Sequence, residues 1–255
     1  MEEKNIIQNY KNKKQLVPVA NWKALVIFLF GLIGLSFIAI PIQFILKNIF
    51  QYNDNSLPAL LYKVESLLNF FTYLISLVAL LVFIGMPTIK QIFSRVKEWA
   101  LYEKGIIYGL VLIAIQTLLS LILTIIFGSF DTNTNQSSLI SITKTTPLLA
   151  FAFTVIFGPI FEELVYRYAL FGVFYKKSKL LAYIIVTIIF GLIHFDFTSL
   201  NGEVKLFLNE LINLPSYISG GLILCYAYEK EESLIPAIVA HMVNNFIGYI
   251  QILMY

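Results

Sequence analysis

Charge is the scarcest commodity in this 255-residue chain: Asp, Glu, Lys and Arg make up 13% of it, against 58% hydrophobic residues. Soluble domains carry roughly 25% charged residues, so one large soluble core is excluded. There is one cysteine, Cys225, which excludes an intrachain disulfide as a source of stability. There are two histidines, too few for a histidine-rich metal site. Neither an HExxH pattern nor an internal repeat is present. The net charge of +3 is small, and Lys and Arg fall in short blocks between apolar runs. That pattern argues against a nucleic-acid surface. The first apolar run is too long for a signal-peptide core and has no small-residue cleavage site after it, so it reads as a retained membrane helix.

What the chain has instead is long apolar runs. Seven candidate spans occupy 22–46, 67–88, 105–130, 147–174, 180–197, 214–228 and 234–254. Each is continuous rather than alternating, which predicts helices, because backbone groups in lipid must bond within their own segment. The fold class expected is all-α: a polytopic membrane protein of about seven transmembrane helices (six to eight) around a polar cavity. The sixth span is short; a start near Leu206 with Pro215 as a kink fits equally. Residues 1–146 form an N-terminal region with three spans and 147–255 a second region, within one membrane domain.

The loops predict an orientation. With the N-terminus inside, the inner segments hold thirteen basic residues, among them Lys4, Lys11, Lys13, Lys14, Lys90, Arg95, Lys104, Lys176 and Lys230. The outer segments hold Lys47, Lys63, Lys144 and Lys205. This bias follows the positive-inside rule and places the C-terminus outside. Segment 89–104 reads either as an amphipathic helix on the inner leaflet or as an ordinary basic loop. Segment 131–146, rich in Asn, Ser and Thr, reads as a flexible outer loop.

Against this background the intramembrane polar residues stand out, because a charge at the bilayer centre costs about 2.5–3.5 kcal/mol on insertion scales. The fourth span carries Glu162, Glu163 and Arg167. His194 lies in the fifth apolar run, and His241, Asn244 and Asn245 in the seventh. At about 1.5 Å per residue, Glu162 and His194 lie about 21 and 22 Å from the inner surface, with His241 and Asn245 at about 12 and 18 Å. Three helices therefore bring polar groups to overlapping depths, as a shared site requires.

Glu163 and Arg167 stand at i and i+4 and can pair, leaving Glu162, about 100° round the helix, for chemistry. The reverse assignment of the two glutamates also fits. A Glu beside a His can activate water, while a second His and an Asn can hold an amide oxyanion. Glu162, His194 and His241 also match a catalytic zinc donor set, with ligands drawn from three helices. Asn244 reads as a supporting or packing residue. Gly158-Pro159, just before Glu162, would break the helix and either open backbone groups to the site or simply kink the span.

At these residues the chain resembles the CAAX-processing and bacteriocin-processing intramembrane protease family (CPBP, or Abi). An EExxxR motif is Glu162, Glu163 and Arg167; an FxxxH motif is Phe190 and His194; an HxxxN motif is His241 and Asn245. All three occur in order, over about 147–255. The resemblance implies an all-helical fold with a conical cavity, and peptide-bond hydrolysis in which Glu162 and His194 activate water while His241 and Asn245 steady the oxyanion. It leaves open zinc against a metal-free, glutamate-based reaction. It implies a membrane-associated peptide or protein substrate and roles in peptide maturation or bacteriocin self-immunity. The Ile-, Lys- and Asn-rich composition fits a bacterial source and hence the bacterial roles. Two other readings of the residues stand beside it: a proton-coupled transporter, and a non-catalytic scaffold for a partner such as a sensor kinase.

Overall fold

The computed structural model describes residues 16–53, 55–128, 131, 133–202 and 204–254. The described residues contain helices and no strand. Six helices are long and apolar enough to cross a membrane: α1 (Asn21–Phe50), α2 (Pro58–Ile84), α4 (Trp99–Phe127), α6 (Pro147–Tyr175), α8 (Val204–Glu231) and α9 (Leu234–Met254). Among the described residues the shorter ones are α3 (Met86–Ile92), α5 (Thr134–Thr145) and α7 (Lys179–Leu192), with a 3-10 turn over Phe197–Asn201. The molecule is an all-α polytopic membrane protein.

Its outside is lipid-facing and its inside selective. Large apolar side chains such as Phe37, Phe44, Val82, Leu118 and Ile125 are more than half exposed, as they can be where the solvent is hydrocarbon. The best-buried helix is α6, whose centre is packed by α1, α7 and α8. It sits at the middle of the bundle, and its polar residues are therefore the ones shielded from lipid. Helix α4 lies along α9, and small residues permit that approach. A Cβ on Gly105 would come 2.6 Å from the Val239 Cβ, and one on Gly109 would come 3.0 Å from the Ala240 carbonyl.

The two ends of the bundle differ. At one end, Arg95 donates to the Glu231 carbonyl at 2.7 Å, Lys104 pairs with Glu231, Lys179 pairs with Glu229 at 2.8 Å, and Lys176 donates to the Val19 carbonyl. The basic turns thus gather on one side. Lys4, Lys11, Lys13 and Lys14 of that group lie outside the described residues.

Four expectations need correction. Segment 131–146 is not a loop: 134–145 is helix α5, capped by the Asn133 side chain, which accepts from the Gln136 N–H. Its polar composition is no obstacle, because it packs against α2 and α9 rather than facing lipid. Segment 89–104 is neither one amphipathic helix nor a loop, but the end of α3, a turn, and the first residues of α4. Gly158-Pro159 does not break α6. The preceding turn, Phe151–Phe157, widens to a π-helix, and this wider register accommodates the missing proline N–H. Finally, α7 ends at Leu192, so His194 stands in a turn after the helix rather than within it. At 14 residues, α7 spans about 21 Å, less than a hydrocarbon core of about 30 Å. Helix α8, by contrast, starts early and carries Pro215 inside it.

The α4–α9 seam makes a direct prediction. Gly109→Val should lower stability by about 1–3 kcal/mol through overpacking against Val243 and the α9 backbone. Thermal unfolding in detergent reads this, and an unchanged transition would show that the two helices do not meet there.

Candidate active site

Glu162, His194, His241, Asn244 and Asn245 all line one cavity of about 1290 Å³. Each arrives from a different local device. Glu162 and Glu163 lie at the end of the short α-helical stretch Gly158–Glu163, between two π-helical stretches of α6. Glu162 faces the cavity while Glu163 turns into the packed interior, where it and Arg167 are fully buried. Arg167 Nη1 donates to Glu163 Oε1 at 3.0 Å, so the expected i, i+4 pair is present. Arg167 also donates to the Gly221 carbonyl at 3.4 Å, and its guanidinium lies 4.2 Å from the centre of the Phe190 ring. An isolated guanidinium would be prohibitive here; a carboxylate, a carbonyl and an aromatic face together make it tolerable.

One link was not legible beforehand. Glu163 Oε1 also meets His241 Nδ1, at 2.8 Å. Glu163 Oε1 already accepts from Arg167, and this contact with Nδ1 fixes the orientation of the ring. Glu163 is therefore not confined to the structural pair: it holds one of the two histidines. The other nitrogen, His241 Nε2, lies 3.9 Å from Glu162 Oε2. That glutamate oxygen is buried and accepts no hydrogen bond.

His194 is fixed differently. Its Nδ1 donates to the Phe190 carbonyl at 2.8 Å, one helical turn back, and Nε2 is left as an acceptor. The Phe190 ring lies between the histidines, with its centre 5.0 Å from His194 and 5.9 Å from His241. The phenylalanine of the FxxxH motif thus serves as the spacer between them and as the surface on which Arg167 rests. Tyr217, not singled out by sequence, stacks on the His194 ring at 4.4 Å.

Asn245 is placed by the widened turn. Gly158 N–H bonds back to the Phe153 carbonyl, and Pro159 has no N–H to offer. The Thr154 carbonyl is consequently unclaimed along the helix, and Asn245 Nδ2 donates to it at 2.9 Å. Asn244 Nδ2 donates in turn to Asn245 Oδ1 at 3.2 Å. Of the two readings of Gly158-Pro159, this is the one in which a backbone group opens to the site.

The zinc reading fares worse. Among the described residues, no group of three His, Cys, Asp or Glu side chains is disposed to hold a metal ion. Glu162, His194 and His241 accordingly do not close into a donor set. These residues do not fit the metal.

Residues 144–247 match the family described as Rce1-like, type II CAAX prenyl endopeptidase. This match and the relatives below agree with a resemblance to the CPBP family. The chain is 31% identical over 173 residues to the membrane-embedded CAAX protease MroQ of Staphylococcus aureus (strain USA300), covering 65% of this chain and 62% of that protein. It is 26% identical over 129 residues to the putative membrane peptidase YdiL of Bacillus subtilis (strain 168), covering 50% and 47%. It is 26% identical over 145 residues to the UPF0177 protein YvdC of Lactococcus lactis subsp. lactis (strain IL1403), covering 57% and 51%. The matched region spans less than two thirds of each relative. No solved structure matches the chain. The three motifs inside the matched region are the same residues that meet at the cavity and at the buried pair.

The two glutamates should separate cleanly in a stability measurement. Arg167→Ala leaves Glu163 buried without its cation and should cost about 3–5 kcal/mol. Glu162→Gln removes no hydrogen-bonded partner of Oε2 and should stay within about 1 kcal/mol of wild type. Unfolding in detergent checks both; equal losses would contradict the division of labour drawn here.

Proposed function

We propose that this chain is an intramembrane endopeptidase that hydrolyses a peptide bond of a membrane-associated peptide or protein. The observation that carries the proposal is the convergence of Glu162, His194, His241 and Asn245 on one cavity inside an apolar bundle, in a region that matches a CAAX protease family. The relative named a membrane-embedded CAAX protease supports the same class of reaction.

The chemistry needs no covalent nucleophile. A water can reach both Glu162 Oε2 and His241 Nε2, since two atoms 3.9 Å apart can each accept from or donate to an oxygen about 2.8 Å away. Glu162 takes a proton from this water as its oxygen attacks the scissile carbonyl carbon. His194, with Nε2 as the acceptor, shares that base role. The carbonyl oxygen becomes the oxyanion. Asn245 meets it with its second amide hydrogen, the first being held by Thr154. His241 meets it from Nε2 when both ring nitrogens carry protons, with Glu163 supplying the balancing charge. Collapse breaks the C–N bond, and the proton on Glu162 passes to the leaving nitrogen. Water and amide become acid and amine, with every proton accounted for.

The proposal extends to orientation and role. The end that collects Arg95, Lys104, Lys176 and Lys179 faces the cytoplasm, and the site opens toward the other leaflet. Peptide maturation or bacteriocin self-immunity fits a bacterial member. A transport path would require polar groups strung between both faces, whereas these converge on one cavity.

Purified protein in detergent, offered a library of membrane-anchored peptides, should release fragments, and Glu162→Gln should slow release by about 10²–10⁴-fold. Release should persist in a zinc chelator. Cleavage by Glu162→Gln at the wild-type rate would overturn the mechanism, and chelator sensitivity would overturn its metal-free form. Equal phenotypes in cells for wild type and Glu162→Gln would favour the scaffold reading.

A further inference from the structure

The three motifs leave His194 incompletely explained, because it stands in a turn and not on a helix. What holds it comes from α8, which no motif touches near this point. Glu210 and Tyr217 are seven residues apart on α8, two turns along one face. Glu210 is 2% exposed, and both its oxygens are occupied. Oε1 accepts the Thr134 backbone N–H at 2.8 Å and Oε2 accepts the Asp196 backbone N–H at 3.1 Å. Thr134 is the first residue of α5, an end that favours a carboxylate. Asp196 lies two residues past His194. One carboxylate therefore brackets two separate segments.

Asn133 closes the ring. It is 3% exposed, and its Nδ2 donates to the Tyr217 hydroxyl at 3.2 Å and lies 3.5 Å from the His194 carbonyl. The Tyr217 ring lies nearly parallel to the imidazole, 15° apart. His194 is thus gripped on its ring by Tyr217, at Nδ1 by the Phe190 carbonyl and at its own carbonyl by Asn133, while Glu210 holds the chain two residues on at the Asp196 N–H.

We infer that Tyr217 and Glu210 are positioning residues for His194, setting the plane and placement of the imidazole in the cavity. The catalytic consequence rests on the peptidase reading above; the placement itself does not.

Because the chain has only two histidines, imidazole-labelled protein in micelles gives two resolvable sets of ring signals, assigned by His194→Ala and His241→Ala. Tyr217→Leu should remove the ring-current shift of His194, and Glu210→Ala should shift and broaden the same signals. The His241 signals should stay in place in both. Tyr217→Phe keeps the stacked ring and should restore the His194 position. In the peptide-release assay, Tyr217→Leu should lower kcat at least tenfold, on the scale of a misplaced reacting group, with KM within about twofold. The same change in a His194→Ala background should add no further loss. His194 signals unmoved by either Tyr217→Leu or Glu210→Ala would overturn the inference, as would an equal kcat loss in the His194→Ala background. If wild type releases no peptide, the peptidase reading fails alone, and the ring signals still decide the placement. Glu210→Gln keeps the side-chain shape and one acceptor, and it stands in if Glu210→Ala does not fold, with a smaller shift in the same direction expected.

Discussion

The carboxylate of Glu163 sits between Arg167 and His241, fully buried, with the bulk of the bundle arranged around it. A charge in that position is destabilising by itself, and so is the guanidinium beside it. Each becomes acceptable only because several elements close on it together. Arg167 needs the Gly221 carbonyl of α8 and the Phe190 face of α7; Glu163 needs His241 of α9. A close approach of α7 and α8 is built into this, since a Cβ on Gly221 would meet the Thr187 backbone at 3.2 Å. Four helices are tied to one ion pair, and the cavity above it inherits their fixed spacing.

The same constraint separates the two neighbouring glutamates. One helical position decides that Glu163 is held inside the protein, where Arg167 and His241 meet its Oε1, while Glu162 faces the cavity. The widened turn in α6 follows the same economy. Pro159 leaves the Thr154 carbonyl without a helical partner, and Asn245 supplies one from α9. Backbone irregularity and side-chain placement are thus two sides of one arrangement.

Much of this was legible in the sequence, for reasons particular to membranes. Apolar runs must be helices, and polar residues inside them are costly, so overlapping depths and the three motifs together singled out Glu162, His194, His241 and Asn245, all of which line one cavity. The Glu163–Arg167 pair followed from helical spacing. What escaped depends on long-range partners. Glu163 and His241 are 78 residues apart, and no local pattern announces their bond. Helix α5 was hidden by its polarity, although Asn133 followed by Gln136 at the third helical position is a capping signal that could have revealed it. Glu210 and Tyr217 lie in a stretch whose hydropathy is the weakest of the six long helices. Their polar character explains that weakness once their partners, Thr134, Asp196 and Asn133, are known. His194 leaves its helix because those partners hold the chain after it, which apolar periodicity does not register.

The account stands or falls on Glu163 joining the ion pair to the histidine of α9. A double-mutant cycle of Glu163→Gln and His241→Ala, read as unfolding free energy in detergent, measures that link directly. The structure predicts a coupling above about 1 kcal/mol, as expected for residues in one buried hydrogen-bonded network. Losses that simply add, within about 0.5 kcal/mol, would mean that Glu163 and His241 do not act on each other, and the site would then lack the anchor from which its geometry is derived.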